Sequence, residues 1–152
     1  MVRGTRKVLT EPNNLVAMYN TCFGCGEDNP SGLKMEREYE PDGSVVSRIA
    51  IEEKYAGDKG VVHGGIQATL LDEVLGFAVR KVSEDNYGEL KPIVTATFQL
   101  KYKAPCPTQE ELVIRSRITK LELPSVFAEG EICNAAGDVL TRAEARWRIM
   151  GV

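Results

Sequence analysis

One stretch of this chain keeps its apolar residues at helical spacing long enough to make a long helix, and the rest has to be arranged around it. From residue 65 to about residue 82, Ile66, Leu70, Val74, Phe77 and Ala78 share one stripe, and Leu71 and Leu75 share a second. Elsewhere the pattern is that of strands. Residues 33–39 and 44–51 flank Pro41-Asp42-Gly43 as a hairpin. Residues 93–102, 111–121, 126–134 and 139–150 read as long strands parted by A-P-C-P-T, E-L-P-S and A-A-G-D, the spacing of antiparallel meanders. One long apolar helix beside five or six strands implies an α+β plan in which the sheet curls around the helix.

Residues 21–152 form a single domain on this reading. Residues 1–20 form an N-terminal arm, loose over its polar, basic first dozen residues and with a short helical turn at 14–20. The 22 acidic and 19 basic residues are spread along the chain with no basic block, so nucleic acid is not an expected partner. No run of about 18 apolar residues is present to span a bilayer, and M-V-R-G-T-R-K-V-L-T-E-P lacks the apolar centre of an export signal. The expectation is a cytoplasmic protein that makes no membrane contact.

Four cysteines without an export signal are expected to be reduced thiols. Cys22 and Cys25 form a C-x-x-C within C-F-G-C-G-E-D-N-P-S-G-L, a stretch read as an ordered loop. Zinc wants about four ligands, and Cys106, Cys133 and His63 are scattered, so the pair is read as small buried side chains. No metal and no cofactor are expected.

The helix carries an acid, Asp72, inside its apolar run. Gly65, Ala68, Thr69, Gly76 and Val79 fall within about 60° of it, so that face is lined mostly by small residues. Gly76 costs roughly 1 kcal/mol relative to Ala and implies close approach by another helix or a ligand. An arc containing Thr69, Asp72, Glu73 and Arg80 is also what the wet side of an amphipathic helix looks like, and the pattern leaves both readings open. At the start of the helix, His63-Gly64-Gly65 offers backbone N–H groups without internal partners. These suit a phosphate, or a carbonyl oxygen that becomes negative under attack. Gly64 and Asp72 lie about 12 Å apart along the axis at 1.5 Å per residue, too far to serve one reacting group. Two such helices running antiparallel in a dimer would bring the acid of one subunit to the glycines of the other.

These residues resemble a known family. H-G-G-I-Q-A-T-L-L-D-E, with the acid nine positions after the histidine, is similar to the signature of the hotdog-fold acyl-CoA thioesterases of the phenylacetic-acid-degradation type. V-T-A-T-F-Q-L-K-Y-K-A-P-C-P resembles the strand that follows the helix there, and C-F-G-C-G-E-D-N-P-S-G-L a leader of one branch. The resemblance implies an antiparallel sheet of five or six strands around the helix, homodimers or dimers of dimers, and an acyl-CoA substrate. By motif position, the backbone of Gly64 or Gly65 polarises the thioester carbonyl and Asp72 acts as nucleophile or general base, with His63 ordering the turn. Gly57 stands where some relatives have a substrate-holding asparagine. Thr95 and Thr97 are candidates for a hydroxyl that assists the acid, with Thr69 and Gly76 beside it. The alternatives are a non-catalytic acyl-CoA-binding or sensing protein, a hydratase or dehydratase of related fold, and a purely structural oligomer.

Overall fold

The computed structural model describes residues 20–152. The expected arm and its helical turn fall, Asn20 apart, outside the described residues. The elements are β1 (Glu38–Tyr39), β2 (Val45–Ala50), a 3-10 turn (Glu53–Tyr55), α1 (Gly64–Tyr87), β3 (Ile93–Tyr102), β4 (Glu111–Glu122), β5 (Ser125–Cys133) and β6 (Val139–Ile149). All strand pairs are antiparallel, in the order β1-β2-β4-β5-β6-β3.

Alternation decides which face of each strand meets the helix. In β6, Thr141, Ala143, Ala145, Trp147 and Ile149 are buried, while Arg142, Glu144, Arg146 and Arg148 between them are exposed. The helix lies against the inward face, and Leu70, Leu71, Val74, Leu75, Phe77 and Val79 are fully buried. Burial of this kind stabilises by roughly 1.5–3 kcal/mol for each large apolar side chain. Gly130 of β5 has little room for a side chain: a Cβ there would stand 2.9 Å from the Arg115 carbonyl oxygen of β4 and 3.4 Å from Cδ2 of both Leu71 and Leu75. One buried hydroxyl ties the layers together, Ser116 Oγ donating to the Val74 carbonyl at 2.7 Å.

Two elements differ from the sequence expectation. The first arm of the hairpin shrinks to two residues, because the Leu33 and Met35 amides donate instead to the Phe23 and Gly24 carbonyls of the leader loop. The helix runs five residues further than residue 82, to Tyr87. It stops at Gly88, whose φ of +72° suits glycine and whose N–H closes on the Glu84 carbonyl.

The two sheet edges are unequal. β1 is two residues long, whereas β3 presents ten residues that, among the described residues, are bonded on one side only, to β6. A sheet wrapped around one central helix in this way is the hotdog arrangement.

Candidate active site

The start of α1 is fixed from three directions. The His63 N–H donates to the Tyr55 carbonyl at 2.9 Å, the Val62 N–H to the Cys106 carbonyl at 2.7 Å, and the Tyr102 hydroxyl to the Gly64 carbonyl at 2.8 Å. Gln67 braces the turn from beneath: its Nε2 donates to the Val62 carbonyl and its Oε1 accepts from Thr141 Oγ1. His63 is the N-cap, with Nδ1 accepting the Gly65 N–H at 2.9 Å. The imidazole thus engages the Gly65 amide. Among the described residues no acceptor takes the Gly64 N–H, as is usual for the first turn of a helix. Beside it is a cleft of about 610 Å³ lined by Gly57, Val62, His63, Gly64, Tyr102 and Lys103, among others. Gly57 faces the imidazole, since a Cβ on it would be 3.6 Å from His63 Cδ2.

Asp72 is half-buried two turns along the helix, and Thr95 Oγ1 of β3 donates to its Oδ1 at 2.9 Å. Burial is the largest influence on this carboxyl and pushes its pKa up. The Thr95 hydroxyl pulls it down, Glu73 pushes it up and Arg80 pulls it down, and the net direction is upward from 3.8. The acid therefore holds its proton more tightly than an exposed aspartate. Asp72 is not among the residues lining the cleft at Gly64, so one chain presents the two groups at separate places.

The other predicted residues divide. A register shift between Thr95 and Thr97 places Thr95 opposite inward-facing Trp147 and Thr97 opposite exposed Arg146. The two threonines thus occupy opposite faces, and the Thr95 hydroxyl alone reaches the acid. Thr69 spends its hydroxyl on the Gly65 carbonyl of its own helix. Within the chain, the room at Gly76 is occupied by a side chain from the sheet. The Trp147 indole fills it, with Cη2 3.2 Å from where a Cβ would be.

Sequence reasoning passed over Tyr102 and the contact between the leader loop and Glu73. Tyr102 ends a strand and reads as one more alternating aromatic, so its contact with Gly64 depends on a crossover invisible in the local pattern. Cys22 is only half-buried rather than buried as expected, and its thiol donates to Glu73 Oε1 at 3.1 Å. Cys25 is buried, and burial, followed by the neighbouring Glu73 charge, pushes its thiol pKa up to about 12. Glu73 was legible only as a member of the polar arc.

The sequence pattern of the thioesterase superfamily matches residues 59–141, from the loop ahead of His63 to β6. Human acyl-coenzyme A thioesterase 13 is 26% identical over 94 residues, covering 62% of this chain and 64% of its own. A crystallised thioesterase superfamily protein is 30% identical, with a TM-score of 0.70, covering 80% of this chain and 59% of that one. The matched segments thus span less than two thirds of these two relatives. A hypothetical thioesterase from Streptococcus pneumoniae, solved with coenzyme A, shares the fold at 21% identity and a TM-score of 0.67, covering 77% of this chain and 86% of that one.

Proposed function

The chain belongs to the thioesterase superfamily, and from that premise we propose that it hydrolyses the thioester bond of an acyl-CoA at a site shared between two subunits. The observation that carries this reading is the half-buried Asp72, nine residues after the capping His63 and held by the Thr95 hydroxyl. The name of the human relative and the coenzyme A in the streptococcal structure support the choice of substrate.

In this reading the thioester carbonyl oxygen accepts the Gly64 N–H, backed by the positive end of α1, and gathers charge as its carbon is attacked. The ionised Asp72 of the other subunit attacks that carbon directly, or removes a proton from water that does so. Either route ends in water adding across the C–S bond, giving the carboxylic acid and free coenzyme A. The open edge of β3 supports the subunit arrangement. Its ten residues offer a second copy backbone groups that no described strand pairs, and two such edges running antiparallel would extend the sheet across a two-fold axis.

Incubated with short, branched, aromatic and long acyl-CoA esters, the purified protein is expected to release free thiol from at least one class. Binding of acyl-CoA without thiol release from any class would overturn the hydrolase reading.

The acid limb of the pH profile gives a second check. The Thr95 hydroxyl lowers the Asp72 pKa, so Thr95→Val should raise it further. The rise in kcat/KM with pH is then expected to move to higher pH, while the plateau above it falls less than the rate at the wild-type midpoint. A limb that does not move would show that Asp72 is not the titrating base.

A further inference from the structure

We propose that Cys22, Cys25 and Glu73 form a binding site for a thiophilic divalent cation of the zinc class, which fastens the leader loop to the central helix. The catalytic reading leaves this corner unexplained. Its two sulfurs and one carboxylate oxygen lie within 4.8 Å of one another, although Glu73 is some fifty residues away in sequence. Around a tetrahedral zinc, Zn–S bonds near 2.3 Å place two sulfurs about 3.8 Å apart, so the three side chains need only a small contraction to close on an ion. Solvent supplies the fourth position, on the side where Cys22 is half-exposed.

The loop is shaped for this convergence. The Gly26 amide closes on the Cys22 carbonyl at 2.8 Å, turning the C-x-x-C so that both thiols face the helix. A Cβ on Gly24 would lie 2.1 Å from Glu73 Cγ, and one on Gly26 would lie 2.3 Å from the Asn20 carbonyl oxygen. Gly24 therefore lets the backbone settle onto the Glu73 side chain, and Gly26 lets the loop close on its own backbone. The plain alternative is a thiol–carboxylate hydrogen bond that merely packs the loop. It accounts for Glu73 Oε1 but not for Oε2, which is buried with no hydrogen-bond partner among the described residues.

Charge balance also fits. Metal binding would release the two thiol protons, and two thiolates with one carboxylate around a dication leave one net negative charge. The Arg80 guanidinium stands 3.8 Å from Cys25 Sγ and places a positive charge beside the site.

The test uses the full chain, reduced and stripped with a chelator, and titrated with Co²⁺. One equivalent is expected to bind with an intense near-ultraviolet thiolate-to-cobalt band and the visible bands of a tetrahedral ion, both bleached by one equivalent of Zn²⁺. Cys22→Ser and Cys25→Ser should each lose the thiolate band or weaken it strongly, and Cys106→Ser and Cys133→Ser should leave it intact. Arg80→Gln should weaken binding by about 10–100-fold. Wild-type protein that binds no cobalt, or a band that survives in the Cys22→Ser/Cys25→Ser double variant, would overturn the proposal. Should the serine variants fail to fold by circular dichroism, alkylation of the native protein still decides: Zn²⁺ should protect Cys22, and unchanged alkylation would count against the site.

Discussion

Asp72→Asn is expected to reduce kcat for acyl-CoA hydrolysis by about 10²–10⁴-fold, the range spanned by loss of a positioned acid–base group. The amide keeps the size of the side chain and an oxygen to accept from Thr95, so the local geometry survives while nucleophile and base are both lost. Stability separates this outcome from unfolding. The native pKa of Asp72 lies above the ordinary 3.8, so between those values the folded state binds more protons than the unfolded one. Stability contributed by this group therefore falls as pH rises through that window, and the ionised carboxylate is a penalty in full above it. The asparagine variant should accordingly be at least as stable as wild type at neutral pH, by thermal denaturation, while nearly inactive. A variant that hydrolyses acyl-CoA at the wild-type rate would remove Asp72 from the mechanism.

Gly64→Pro tests the other half of the site. Proline is tolerated at the first position of a helix, where its missing N–H breaks no internal bond. The preceding residue suits it as well, since His63 has φ −53° and ψ 138°. The substitution should thus preserve the helix while deleting the donor assigned to the thioester oxygen, lowering kcat by about 10²–10³-fold. Gly64→Ala keeps the N–H, and its Cβ meets Tyr102 at an ordinary 3.5 Å, so it should retain most activity. The two inactive variants also report on the subunit arrangement. If Asp72 and Gly64 act from different chains, exchange between Asp72→Asn and Gly64→Pro dimers yields mixed dimers with one intact site. Activity should then return to about a quarter of wild type. No recovery on mixing, despite demonstrated subunit exchange, would place both groups of a site in one chain.

What could be read from the sequence follows from where the information lies. The strands at 93–102, 111–122, 125–133 and 139–149 fall within a residue or so of expectation, because alternation and turn residues are local. The core helix was legible for the same reason. Its extension to Tyr87 was not, since Ser83, Glu84, Asp85 and Asn86 carry no apolar period and are held by helix-internal bonds such as Asn86 Nδ2 to the Val82 carbonyl. Asp72 could be singled out from its place in an apolar run, whereas the preference for Thr95 over Thr97 depends on a register shift in β3 that only the pairing with β6 reveals. Gly76 is read only in part for a related reason: a missing side chain advertises a close neighbour without identifying it, and Trp147 is far along the chain. The convergence of Glu73 with Cys22 and Cys25 is likewise a property of the folded chain alone.

β3 combines two properties in one segment. Among the described residues it has a free backbone edge along ten residues, and it carries the hydroxyl that rests on Asp72. A partner that gripped that edge would also hold steady the group that restrains the proton affinity of the acid. If a second copy grips that edge, as the proposed shared site requires, dilution and acidity should be thermodynamically linked: conditions that drive the copies apart would also change the pH at which the carboxylate becomes charged.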